Sequence, residues 1–121
     1  MLLHQEIPIR EGNGYSLTKI ADLLDINKRE LAIIIGINES TLYRNKDKIS
    51  PSIKKKIQPL ISILVMLWEL SEWDINGVKK WLHYPQTRWS GSTPIDMIKI
   101  GRIDTVKMYL DQMLKGEVMG G

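Results

Sequence analysis

Apolar residues recur along this chain at helical spacing. Leu17, Ile20, Leu23 and Leu24 share one side of a helix that Ser16 can cap and that runs through Leu24. Asn27, with Glu30 three residues on, has the pattern of a capping box opening a second helix that ends near Gly36. Asn38 is placed to cap a third helix, which fades before Ile49. Ser50-Pro51 opens a fourth, with proline at the first turn, where its missing N–H costs little. That segment runs toward Leu70 and contains Pro59, which should kink it or divide it in two. From Leu60 to Trp68 it is apolar on nearly all sides, and an all-round apolar helix must be surrounded. A chain of 121 residues can hardly enclose it alone, so part of this helix is expected to pack on a second copy, making a homodimer. Asp74 caps a short helix from 75 to about 82, and a loop with Pro85 and Gly91 spans 83–92. Thr93-Pro94 repeats the cap-plus-proline signal for a helix closed by a left-handed Gly101. The last helix runs from about 103 to 115, with Val106, Leu110, Met113 and Leu114 inward, and Gly116 stops it. Residues 1–15, holding Pro8, Gly12, Asn13 and Gly14, read as a loose lead-in, and no alternating strand pattern or hairpin signal is found. The pattern predicts an all-α chain in three parts: residues 1–49, a central apolar helix over 50–73, and a small helical domain over 74–121.

Residues 28–46, KRELAIIIGINESTLYRNK, carry the clearest chemistry. Ala32, Gly36 and Leu42, with Leu31, Ile35 and Ile37 beside them, have the spacing of a helix-turn-helix. Two steeply crossing helices need a small residue where their axes approach, which Ala32 supplies. The tight turn needs unusual backbone angles, which Gly36 tolerates. Leu42 then faces back onto the first helix. The outer face of the second helix keeps a set able to meet DNA: Ser40, Thr41 and Tyr43 for phosphates, sugars or bases, and Arg44 as a bidentate donor to guanine. Lys46 and Lys48 follow as phosphate contacts. The bland alternative for the same stretch is an ordinary helical hairpin with a glycine turn.

Net charge is +3, and its distribution says more than its size. Arg44, Lys46, Lys48, Lys54, Lys55 and Lys56 crowd together, opposed locally only by Asp47. Such a patch neutralises phosphates; for Lys54 to Lys56 a solvated helix face is an equal reading, since consecutive residues cannot share one surface. The lack of cysteine excludes disulfides and thiolate metal sites and suits a reducing cytoplasm. His4 and His83 are far apart, so a metal site is not expected. No basic region followed by a long apolar run opens the chain, so no signal peptide is expected. The apolar run 60–70 is about half of the roughly 20 residues a membrane span needs. There is no nucleophile–base pair, metal-ligand cluster or phosphate-binding glycine loop, and Asp96 and Asp104 sit at helix starts where they favour the helix dipole, so no enzyme and no cofactor are expected.

The second half carries a further series: Trp81-Leu82, Pro85, Gly91-Ser92-Thr93-Pro94-Ile95, Gly101-Arg102-Ile103, Val106, Leu110 and Gly116-Glu117. This resembles the toxin-binding domain of the Xre/MbcA/ParS-type antitoxins, and KRELAIIIGINESTLYR resembles the Xre-like helix-turn-helix that precedes it in those proteins. The resemblance covers roughly residues 16–119, in the family's order. Locally, each residue of the series has an architectural reading. Thr93 and Pro94 start a helix, Gly101 and Gly116 end two, and Trp81 and Leu82 bury against the last.

The resemblance implies an antitoxin of a type II toxin–antitoxin pair. Its partner would be a RES-domain toxin that degrades NAD, its C-terminal domain would cover the toxin's active site, and its N-terminal domain would repress its own operon by binding operator double-stranded DNA. NAD then belongs to the partner as substrate. Toxin contacts are expected at His83, Tyr84, Arg88 and Trp89 in the loop and at Glu117 and Val118 in the tail, which is short for a blocking segment. Trp89 has two readings, a lid over the local core or an exposed anchor. The alternative function is a stand-alone helix-turn-helix regulator whose C-terminal half only dimerises or senses a ligand.

Overall fold

The computed structural model describes residues 6–12, 14–44 and 49–116, with Tyr43 and Arg44 in backbone only. Among these residues the elements are β1 (Arg10–Glu11), β2 (Gly14–Tyr15), α1 (Leu17–Leu24), α2 (Lys28–Ile35), α3 (Glu39–Arg44), α4 (Pro51–Leu70), α5 (Ile75–Leu82), a 3₁₀ turn at Thr87–Trp89, α6 (Pro94–Lys99) and α7 (Ile103–Leu114). The architecture is all-α apart from the one short hairpin. The chain forms two compact units, Met1–Gln58 and Pro59–Gly121.

In the first unit the lead-in is more ordered than expected. β1 and β2 pair antiparallel, Arg10 opposite Tyr15 and Glu11 opposite Gly14. Gly12, with φ 60, turns the chain, so the glycines that argue against regular structure in the sequence serve a hairpin instead. Ile7 and Ile9, two apart, are both buried, a period of two too short to stand out in sequence. The Ser16 N–H donates to Ile9 O at 2.8 Å, joining this segment to the start of α1. Ser16 then caps α1, its side chain accepting from the Lys19 N–H. Leu17, Ile20, Leu23 and Leu24 are buried as their spacing requires. Asn27 and Glu30 form the reciprocal capping box of α2.

α4 is a single helix of 20 residues with Pro59 inside it. It is therefore not divided at the proline. Pro59 has no N–H to give the carbonyl of Lys55, so the helix runs on with that one hydrogen bond missing. The apolar stretch that seemed to demand a second copy is largely enclosed by its own chain. Leu60, Ile61, Ile63, Leu64, Leu67 and Trp68 are buried, and of the stretch only Val65 is exposed, at 37%. The ground for placing a partner subunit on this helix is removed.

In the second unit α5, α6 and α7 pack in sequence order. Asp74 caps α5 by accepting from the Asn76 N–H. Thr93 caps α6 in a second capping box, with Pro94 in the first turn. Gly101 follows α6 in the left-handed region, with φ 85. On α7 the inward face is Val106, Tyr109 and Leu110, with Met113 half-buried. Leu114, expected inward, is 45% exposed, and Tyr109 fills the core in its place. Positions 106, 109, 110 and 113 follow the i, i+3, i+4, i+7 stripe, and Leu114 turns out of it in the last turn.

Candidate functional site

The first surface is built around the turn between α2 and α3. α2 ends in a Schellman motif: the Ile37 N–H donates to Ala32 O at 3.0 Å, and the Gly36 N–H donates to Ile33 O at 3.3 Å. Gly36 holds φ 77, the left-handed conformation that this motif requires. Ala32 and Leu42 are buried, so the small residue and the inward leucine of α3 hold the two helices together as the spacing predicts. Ser40 is exposed on α3 and Thr41 is half-buried. Tyr43 and Arg44 lie in the last turn of α3, with no side-chain position described. Lys46 and Lys48 lie outside the described residues.

The structure adds Ser52 and picks Lys56 out of the lysine run. Gly36, Ile37, Asn38 and Thr41 face Ser52, Ile53 and Lys56 of α4 across a cleft of about 430 Å³. The Lys56 ammonium donates to Gly36 O at 3.2 Å, tying α4 to the helix-turn-helix turn. Ser52 and Lys56 are four apart and share one helix face, the signal that could have singled them out from the lysine run. Residues 1–58 hold ten Lys and Arg against seven Asp and Glu, and residues 59–121 hold seven of each. The whole net positive charge therefore belongs to the unit that carries α3.

The second surface lies in the other unit. The Trp81 and Tyr109 rings are near parallel, 8° apart with centroids at 6.3 Å. Trp89 meets both edge-on, at 6.4 Å from Trp81 and 5.8 Å from Tyr109. The Arg88 guanidinium lies over the Tyr109 ring, 3.9 Å from its centroid. Trp89 is half-buried in this cluster. Its ring packs on the local core through Trp81 and Tyr109, and part of it stays accessible. The loop is stiffened from inside: the Gln86 carbonyl accepts from the N–H groups of Trp89 and Gly91, at 3.1 and 2.9 Å. His83 ends α5 and is exposed, and Tyr84 is 57% exposed. Ile100, 70% exposed after α6, adds an apolar residue that the sequence reading passed over. A smaller cavity of about 210 Å³ is lined by Leu67, Leu70, Ser71, Gly77, Trp81 and Met113. Glu117 and Val118 lie outside the described residues.

Asp96 has a displaced titration. The carboxyl of Asp96 is held below its usual range by the Thr93 hydroxyl and then by the Thr93 N–H, which donates to it at 3.2 Å, with the charges of Lys99 and His83 adding to this. This is the chemistry of a cap rather than of an acid catalyst. Among the described residues no group of three or more His, Asp or Glu side chains is placed to hold a metal ion, and no helix is long and apolar enough to cross a membrane.

Residues 5–62 match the family model described as the antitoxin Xre-like helix-turn-helix domain. Residues 74–116 match that of the antitoxin Xre/MbcA/ParS C-terminal toxin-binding domain. Among solved structures, the chain is similar to one in the crystal structure of the M. tuberculosis MbcT–MbcA toxin–antitoxin complex. The two share 17% identity and a TM-score of 0.56, over 85% of this chain and 94% of that one. At that identity the similarity speaks for the fold. No curated protein matches the sequence.

Proposed function

The chain belongs to the Xre/MbcA/ParS antitoxin family, and from that membership we propose that it neutralises a RES-domain, NAD-degrading toxin and represses its own operon. The observation that carries this reading is the tiling of the chain by two family matches, a helix-turn-helix over 5–62 and a toxin-binding domain over 74–116. The toxin is held by the second unit and its active site is covered there. His83, Tyr84 and Arg88 are the proposed contacts in the loop, with Glu117 and Val118 beyond α7. Trp89 supports them from beneath, since its ring is committed to Trp81 and Tyr109. The protein works in the cytoplasm, where toxin and operator are both found.

The DNA-binding role rests on α3. Its N-terminal part enters the major groove, Ser40 and Thr41 contact the duplex, and Tyr43, Arg44, Lys46 and Lys48 extend the footprint. One module makes few contacts, so two copies read two half-sites about one helical turn apart. Arg44→Ala is expected to cost about 1–3 kcal/mol of operator affinity and to relax base preference. Equal loss on operator and random duplex would reduce Arg44 to a phosphate contact.

The test is co-expression. A neighbouring open reading frame that arrests growth when expressed alone, is silenced by this chain and co-purifies with it supports the proposal. Rescue of cellular NAD in the same cells identifies the toxin class. A chain that binds DNA but neither protects nor captures a neighbour would be a stand-alone regulator.

A further inference from the structure

The cleft between the helix-turn-helix turn and α4 has no role in the reading of α3 as the base-contacting helix. Its accessible walls are mostly polar, with Asn38 and Thr41 on one side and Ser52 and Lys56 on the other, beside the apolar Ile37 and Ile53. The Lys56 ammonium gives one N–H to Gly36 O, and an ammonium has three to give. Two donors therefore remain for a group in the cleft. Ser52 is exposed, and its hydroxyl lies 3.2 Å from that of Ser50, a partner that can either donate or accept. Residues 49–58 contain Lys54, Lys55 and Lys56 and no acidic residue, so the wall that α4 contributes favours an anion.

We propose that this cleft docks a backbone phosphate of the bound duplex, with Lys56 as the ionic contact and Ser52 as a neutral hydrogen-bond donor. The inference rests on the reading of the first unit as a DNA-binding domain and adds to it a phosphate contact from outside α3. Phosphate contacts fix the register of a protein on the duplex, and base contacts supply sequence information. Lys56 is suited to that part because it is also fastened to the turn that precedes α3. A phosphate gripped here sets where α3 begins relative to the groove.

The experiment uses the full chain and a random-sequence duplex, with affinity read by fluorescence anisotropy over a range of salt concentrations. Each phosphate neutralised contributes about 0.9 to the slope of log K against log salt. Lys56→Gln is expected to reduce the slope by about that amount, and Lys56→Arg to restore it. Lys54→Gln removes the same charge from the far side of the helix and is expected to reduce the slope by less than half as much. Ser52→Ala should weaken binding with the slope unchanged. Thermal melting of each variant confirms that the fold is retained. Equal slopes in Lys56→Gln and Lys54→Gln, with duplex binding otherwise intact, would overturn the cleft while leaving DNA binding in place. Failure of the unaltered chain to bind any duplex at low salt would remove the DNA reading itself. Amide shifts of Ile37, Asn38 and Thr41 separate the sources of phosphate. Movement with duplex supports the proposal, and movement with inorganic phosphate alone would assign the cleft to a small anion and overturn it.

Discussion

Glu72 ends α4 in a conformation that glycine would hold at lower cost. Its φ is 56, and the Trp73 and Glu72 N–H groups donate to Trp68 O and Glu69 O in the same Schellman pattern that Gly36 makes after α2. A left-handed backbone costs an L-residue roughly 1–2 kcal/mol. Glu72→Gly should therefore raise stability by about 1 kcal/mol, after the extra chain entropy of glycine is offset. Gly36→Ala should lower it by about as much. A Cβ on Gly36 would meet nothing within 4 Å, so backbone conformation alone would be responsible. Urea denaturation of both variants checks the pair. Gly36 was legible as a turn because glycine advertises it. Glu72 and Asp25, which makes the same left-handed ending after α1, were not, because glutamate does not signal it and aspartate does so only weakly.

Among the elements, α6 shows how a cap links sequence to pH. The folded pKa of Asp96 is depressed, so its stabilising contribution is present above the ordinary carboxylate value and is lost as pH falls through the lower folded value. Asp96→Asn should thus be less stable than the unaltered chain at neutral pH, and the gap should close as pH drops below about 4. Chemical denaturation at several pH values measures it; a gap independent of pH would leave only the hydrogen bond. The loop between α5 and α6 gives a second expectation. Trp89 is half-buried among Trp81, Tyr109 and the arginine stack. Trp89→Ala should cost about 2 kcal/mol of stability, less than the roughly 3–5 kcal/mol of a fully buried tryptophan. Exposed Tyr84→Ala should change stability by no more than about 0.5 kcal/mol. Unfolding curves of the two variants distinguish a lid from a surface contact.

At the scale of the whole molecule, the decisive observation is the burial of the 60–68 stretch by one chain. With that stretch buried by its own chain, the melting temperature is expected to be independent of protein concentration. Differential scanning fluorimetry over a hundredfold dilution checks this, and a midpoint that falls on dilution would return the helix to a homodimer interface. Pairing on DNA is a separate matter, since two copies on adjacent half-sites need no shared core. The location of charge belongs to this scale as well. With the excess of lysine and arginine confined to residues 1–58, the proposed attraction to a duplex would come from one unit and not from the chain at large.

The helices, the N-terminal caps of four of them and the two motifs could be read from the chain alone. Those depend on contacts within a few residues: Ser16 to Lys19, Asn27 to Glu30, Asp74 to Asn76, Thr93 to Asp96. Meetings across long separations emerge only once the chain is folded. Lys56 reaches Gly36 across twenty positions, Trp81 stacks on Tyr109, and Arg88 covers the same ring. A lysine in a run of three, or an arginine in a polar loop, looks the same in sequence whether it faces water or a partner. Side-chain geometry over such distances is set by packing, and packing is not written in any local window.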